Sequence, residues 1–327
     1  MWLTLAILGY FFNSLSIFLD KYLLGGSLPS PKIYAFYAGI FSLLILLIIP
    51  IGVLVSYGFL TPLEKIFPES LEIFLIPQFP LIVLTFFPGI IFILALLFYY
   101  QGIKDFEISR IGPAVGGIVP LFTLILISLF SFFPLNLGFE KQIIVFKEYL
   151  ALLFLVLGTM ILVFQKEKLA TFKILKLSIT ASFLFSLSFV LSKIVYNFLP
   201  FWPAFIWMRM GDFIGAISLL IFSEVRHGIF FQKEISKEKI ALPFIFAKGA
   251  GGLGSVLQNG AIFLAPIVFL PIINALAGVQ YIFLMILAIL FFFKFPKILK
   301  EEISKRVLFQ KIISILLILI GLYFLSL

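Results

Sequence analysis

Apolar positions in this chain come in long unbroken runs. They show neither the alternation of a half-buried strand nor the narrow stripe of a soluble helix. A membrane-spanning helix needs roughly 17–25 mostly apolar residues. Ten stretches meet that need: 2–19, 33–56, 81–102, 111–133, 149–165, 176–197, 202–223, 242–264, 267–293 and 308–326. Pro, Gly or charged clusters punctuate most of the gaps, the longest being 57–80, 134–148 and 224–241. In the first gap, Thr61-Pro62-Leu63-Glu64 has the N-cap, N1 proline and capping glutamate of a helix start, which suggests a short helix lying at the membrane interface. The pattern predicts an all-α integral membrane protein with ten transmembrane helices.

The pattern also repeats. FFNSLSIFLDKYLL, Phe11 to Leu24, and FLFSLSFVLSKIVY, Phe183 to Tyr196, carry the same Ser-Leu-Ser, Leu and Lys at a separation of 172 residues. Pro31 and Gly39 of the second segment return at the same separation as Pro203 and Gly211 of the seventh. Gln101-Gly102 matches Asn259-Gly260, Val119-Pro120 matches Val279-Gln280, and Gly158 matches Gly321. Each match alone is weak, but five helix pairs in the same order divide the chain into two five-helix halves, 1–165 and 176–327, joined by a basic linker at 166–175. An odd number of spans per half turns the second half over. The expectation is two inverted five-helix repeats, the arrangement that lets carriers alternate between inward-open and outward-open forms.

Composition narrows the class further. The chain is 63% hydrophobic and only 12% charged, with 44 Phe among 327 residues, which excludes a soluble domain of this length. The absence of cysteine excludes disulfides, thiolate nucleophiles and Cys-ligated metals. The single histidine, His227, lies in a charged loop and reads as solvated. No P-loop occurs, so ATP is not the direct energy source. No cofactor, metal site or catalytic residue is indicated. The first segment lacks a basic start and an Ala-x-Ala site and reads as a retained helix.

Charge then sets an expected orientation. Of the 24 Lys and Arg, all but six fall in the loops after odd-numbered segments; Lys65, Lys141 and Lys147 lie on the opposite side, and Lys193, Arg209 and Lys248 lie inside segments. The positive-inside rule puts the richer side in the cytoplasm of a multi-pass plasma-membrane protein, with both termini non-cytoplasmic. The net charge of +9 sits mostly in short loops, which fits membrane orientation better than nucleic-acid binding.

The five-plus-five plan and the first-helix pattern SLSIFLDKYLL resemble the drug/metabolite transporter superfamily, specifically its EamA-like members. The fourth and ninth segments sit where that family has small-residue, proline-broken helices, and Glu148 resembles an acidic residue the family carries before its fifth helix. The resemblance covers the whole chain and implies a transporter in which those two helices line the cavity. It also implies both termini inside, against the charge count, which is preferred here. It does not name a substrate.

Charges within an apolar span mark function by default, since even modest scales put their cost at about 2.5–3.5 kcal/mol at a helix centre. Arg209 and Asp212, in WMRMGDF, are three apart on one face and close enough to pair. They are either a self-neutralising pair or part of a site whose Arg binds a carboxylate or phosphate. Asp212 reads as the one carboxylate well inside a span. Lys248, Gly252, Ser255 and Asn259 form one helix stripe that faces either a wet cavity or a close helix contact, with Lys248 snorkelling in the latter case. Lys21 and Lys193 read as snorkelling anchors and Trp202 as an interface anchor. Asn13, Ser16 and Asp20 form a second stripe, for which helix-to-helix hydrogen bonding is the plainer account. Asn274, Gly278 and Tyr281 share a face of the ninth segment beside Gln280, and Pro113, Gly116, Gly117 and Pro120 are expected to break the fourth. Tyr37 and Trp207 are candidates for stacking on a ligand, with packing the plainer role.

The leading expectation is a secondary transporter that moves a small organic metabolite by alternating access. If Arg209 and Lys248 both reach the cavity, its net charge is positive and an anionic or zwitterionic substrate is favoured. A lipid or lipid-headgroup flippase, or a drug exporter, on the same fold is the alternative. A membrane-embedded enzyme is disfavoured because Glu64, Glu69, Glu72, Asp105 and Glu107 have no nearby His. The expected partners are the bilayer and a small-molecule substrate; a homodimer is neither required nor excluded.

Overall fold

Helices account for almost all of the structure. The computed structural model describes residues 1–26, 30–47, 76–132, 168–230, 237–277 and 304–326, with isolated positions at 146–161 and 280–290. Among these residues there are ten α-helices: α1 Trp2–Gly26, α2 Pro31–Phe41, α3 Phe79–Asp105, α4 Ile108–Phe132, α5 Lys168–Phe198, α6 Phe201–Ser218, α7 Ser223–Phe230, α8 Lys237–Leu264, α9 Leu270–Ala275 and α10 Lys305–Ser326. Short 3-10 turns extend α2 to Leu47 and α6 to Ile221 and precede α9 at Ile267–Phe269. Among the described residues, five helices are long and apolar enough to cross a membrane: Trp2–Leu24, Phe79–Asp105, Arg110–Ser131, Phe172–Phe198 and Phe201–Ile221. The chain is an all-helical, multi-pass membrane protein. The interfacial helix expected at 61–64, Glu148 and Tyr281 lie outside the described residues.

The distribution of side chains is the reverse of a soluble protein's. Large apolar residues such as Leu3, Phe87, Phe172, Leu253 and Leu316 are exposed on outer faces, whereas Ser14, Asp20, Lys21, Asp212 and Asn274 are buried. In hydrocarbon this is the stable arrangement, because each polar group needs a partner that lipid cannot supply.

Helix packing brings distant segments together. α1 runs along α8; α3 packs on α5 and α6; α4 packs on α5 and α9; α2 sits against α3 and α6. The α3–α6 crossing is the tightest. A Cβ added at Gly89 would meet the Met208 carbonyl and, at 2.5 Å, the Asp212 backbone nitrogen, and one added at Gly211 would meet the Phe86 backbone. Only glycine lets the two backbones approach this closely, the device membrane helices use in place of a hydrophobic driving force.

Three expectations are corrected here. α4 is one continuous helix through Pro113 and Pro120, not a broken one. Hydroxyls of α5 fasten the two helices together: Ser182 donates to the Val115 carbonyl at 2.9 Å and Ser186 to the Val119 carbonyl at 2.8 Å. Lys21 and Lys193 do not snorkel. Lys21 is fully buried and caps the end of α3, donating to the carbonyls of Ile103 at 2.6 Å and Phe106 at 2.5 Å, while Lys193 donates to the Phe263 carbonyl at 3.1 Å. Trp202, at the start of α6, is buried and packs edge-on to Phe201 at 5.0 Å. The same economy governs the α3–α4 corner, where Glu107 accepts from Arg110 at 3.0 Å and from Lys311 of α10 at 2.7 Å.

Gly89→Ala is expected to lower stability by about 1–3 kcal/mol, the usual cost of overpacking. Gly252→Ala, where an added Cβ meets nothing within 4 Å, is expected to be neutral or slightly stabilising. Thermal unfolding of both variants in detergent checks the contrast.

Candidate functional site

A cavity of about 500 Å³ lies among α1, α2, α3, α4, α5, α6 and α8. Its walls are mostly apolar and aromatic, with Phe92, Tyr99, Tyr100, Phe185, Phe189 and Phe205 among them. Into this apolar volume face four charged side chains: Asp20 of α1, Arg209 and Asp212 of α6, and Lys248 of α8.

They form two ion pairs. Arg209 Nη1 lies 2.8 Å from Asp212 Oδ2, and the guanidinium also sits 5.0 Å from the Phe205 ring centre and 5.5 Å from that of Phe92. Ser255 of α8 accepts a long contact from Nη1 at 3.4 Å. Lys248 Nζ lies 3.0 Å from Asp20 Oδ1 and 3.0 Å from Tyr100 Oη, over the rings of Tyr34, Tyr100 and Phe244. The Tyr34 hydroxyl donates to the same Asp20 oxygen.

An amide network lines the rest of the polar wall. Asn13 Nδ2 donates to Gln258 Oε1 at 3.0 Å, and Gln258 Nε2 to Tyr10 Oη at 3.2 Å, across the α1–α8 seam. Asn259 accepts from Tyr196 Oη at 3.1 Å and donates to the Ser255 carbonyl at 2.9 Å. Asn274 of α9 donates to Thr123 Oγ1 of α4 at 2.9 Å.

Three buried polar atoms at this site have no partner among the described residues: Arg209 Nε, Asp212 Oδ1 and Asn274 Oδ1. A buried donor or acceptor left so costs about 1–3 kcal/mol, more for a charged group. Arg209 and Asp212, which line the cavity, thus each keep one buried polar atom unmatched among the described residues.

Arg209, Asp212, Lys248, Ser255, Asn259, Asn274, Gln280 and Asn13 all line the cavity. Tyr37 and Trp207 do not: Tyr37 packs edge-on to Phe36 and Phe244, and Trp207 packs against Phe86. Lys248 is paired within the protein and does not snorkel. Asp20 was missed as an intramembrane charge because it seemed to end its helix, whereas α1 continues to Gly26. Its place on the Asn13–Ser16–Asp20 stripe was the available signal. Gln258 carried no signal beyond adjacency to Asn259. The expectation of a net positive cavity is therefore overturned: among the described residues lining it, two carboxylates balance two cations.

Comparison with known proteins adds the fold alone. No family model matches the chain, and neither does any curated protein. The structure is similar to a solved one described only as "Crystal structure of protein", with a TM-score of 0.53, 13% sequence identity, and coverage of 97% of this chain and 95% of that one. At that identity the likeness concerns helical architecture over the full length and nothing chemical. Fold and site together define a multi-pass helical membrane protein with a mostly apolar cavity that holds two balanced ion pairs.

Asp20→Asn is expected to cost about 3–5 kcal/mol, because it leaves the Lys248 ammonium uncompensated in a buried place. Adding Lys248→Met should return much of that loss. A double-mutant cycle of thermal stability measures the coupling.

Proposed function

We propose that the protein is a secondary transporter of the EamA-like drug/metabolite type, carrying a small zwitterionic metabolite with an apolar body across the membrane by alternating access. One observation carries this reading: a cavity inside a membrane bundle holds two balanced ion pairs, and one pair, Arg209–Asp212, keeps a buried donor and a buried acceptor without a partner among the described residues. A carboxylate can accept from Arg209, and an ammonium can donate to Asp212. A ligand bearing both leaves the cavity neutral, whereas a bare anion or cation must unbalance it. The surrounding Phe and Tyr rings suit an apolar or aromatic body.

Ten spans in two inverted halves belong to the same proposal. Its support is the pattern of neighbours. An inverted repeat exchanges the α1–α8 contact with the α3–α5 contact, and both are extensive. It also exchanges α3–α6 with α2–α8. The former is backbone-tight at Gly89 and Gly211, while the latter meets chiefly through the Phe244 ring against Tyr34, Tyr37 and Phe41. One closed and one looser member of a related pair is what a single end state of a two-state carrier would have. The plasma membrane and the orientation with both termini non-cytoplasmic follow from the loop charges and stand as part of this reading.

The test is a thermal-shift screen of purified protein against zwitterionic amino compounds, carboxylates, sugar phosphates, lipophilic cations and lysolipids. A zwitterion at 100 times its Kd is expected to stabilise the fold by about 2.7 kcal/mol. Arg209→Ala should abolish the effect, and Lys305→Ala, at an exposed helix end, should preserve it. Stabilisation by lipophilic cations alone, or by lysolipids alone, would contradict the reading and favour drug export or flipping.

A further inference from the structure

The surroundings of Lys248 are those of a ligand cation. Its ammonium sits 3.0 Å from the Asp20 carboxylate, 4.2 Å from the Tyr34 ring centre, 5.0 Å from that of Tyr100 and 5.5 Å from that of Phe244. The Tyr100 contact is made through its hydroxyl, 3.0 Å away, and a carboxylate backed by a phenol oxygen and the rings of Tyr34 and Phe244 is an arrangement that suits organic ammonium groups. An ion pair needs no such cage, and a buried pair is weak evidence of a stabilising role.

The cage is held together without the lysine. Tyr34 and Tyr100 pack edge-to-face at 4.8 Å, Tyr34 and Phe244 lie perpendicular at 5.5 Å, and the Tyr34 hydroxyl is bonded to Asp20. Its members come from α1, α2, α3 and α8, and Asp20 and Tyr100 open onto the central cavity. The lysine, by contrast, has room to leave. Gly249 and Gly252 beside it on α8 face open space, and its four-carbon stem is flexible.

We propose that Asp20, Tyr34, Tyr100 and Phe244 form a binding site for an organic ammonium group, and that Lys248 is its tethered occupant, displaced when a ligand ammonium enters from the cavity. The exchange replaces one cation by another on Asp20, so the buried carboxylate is never left bare. It gives the empty protein a built-in substitute for a bound cation. The cage rests on geometry alone; only the identification of the natural competitor as a transported substrate rests on the function proposed above.

The test needs no substrate. Lys248→Ala vacates the cage and leaves Asp20 unpaired, so the variant should melt at a lower temperature than the wild type. Methylammonium or tetramethylammonium chloride should then restore its melting temperature saturably, while sodium chloride at equal ionic strength should not. Asp20→Asn/Lys248→Ala should show no such rescue. A second measurement uses the wild-type protein and covers the case in which the variant does not fold. Tetramethylammonium, which carries no reactive amine, should increase acetylation of Lys248 by an amine-reactive reagent and leave that of exposed Lys305 unchanged, as read by mass spectrometry. Rescue no better than with sodium chloride, or Lys248 labelling indifferent to tetramethylammonium, overturns the proposal. A cage that responds while every zwitterion fails the ligand screen leaves the ammonium site standing and removes the transport reading instead.

Discussion

A charge inside an apolar bundle must have a partner, and this constraint organises the molecule. Lipid offers no hydrogen bonds, so each buried charged group either finds a counter-charge or a carbonyl, or does not insert. Lys21 and Lys193 find carbonyls, Glu107 finds Arg110 and Lys311, and Asp20 finds Lys248. These bonds join α1 to α3, α5 to α8, α4 to α10 and α1 to α8. Helix association that a soluble protein would draw from hydrophobic burial is drawn here from polar satisfaction and from glycine-lined crossings.

Arg209 and Asp212 depart from that rule. They neutralise each other but leave one nitrogen and one oxygen unmatched among the described residues, at the wall of a cavity large enough for a small molecule. Most other buried charges of the described bundle are fully met by carbonyls or counter-charges, although Ser128 and Ser178 also keep a buried hydroxyl without a partner. Departures from complete pairing are expected where a ligand completes the set. The Lys248 cage states the same logic in its satisfied form, with the protein supplying the cation itself.

Much of this was legible in the order of residues, for physical reasons. Apolar run length reports a span directly, because bilayer thickness fixes it. Helical spacing alone put Lys248, Ser255 and Asn259 on one face, and Arg209 on the same face as Asp212. What spacing cannot report is which helix stands opposite. The pairing of Asp20 with Lys248 joins residues 228 positions apart, and without it the cavity looked positive. Two prolines predict a break in α4, yet the helix runs on through both, because a proline removes one i→i−4 bond without ending a helix that its neighbours pack on. Tyr37 and Trp207 looked available for stacking because aromatic residues on a span carry no mark of which way they turn.

The central claim is that this cavity opens to each side of the membrane in turn. The chain has no cysteine, so a single one can be placed without background. Gly252 lines the cavity and faces open space, so Gly252→Cys is the site of choice. The decisive measurement is its labelling in oriented proteoliposomes by a membrane-impermeant thiol reagent added from either side. The account predicts labelling from both sides. Labelling from one side alone, or from neither, would contradict it.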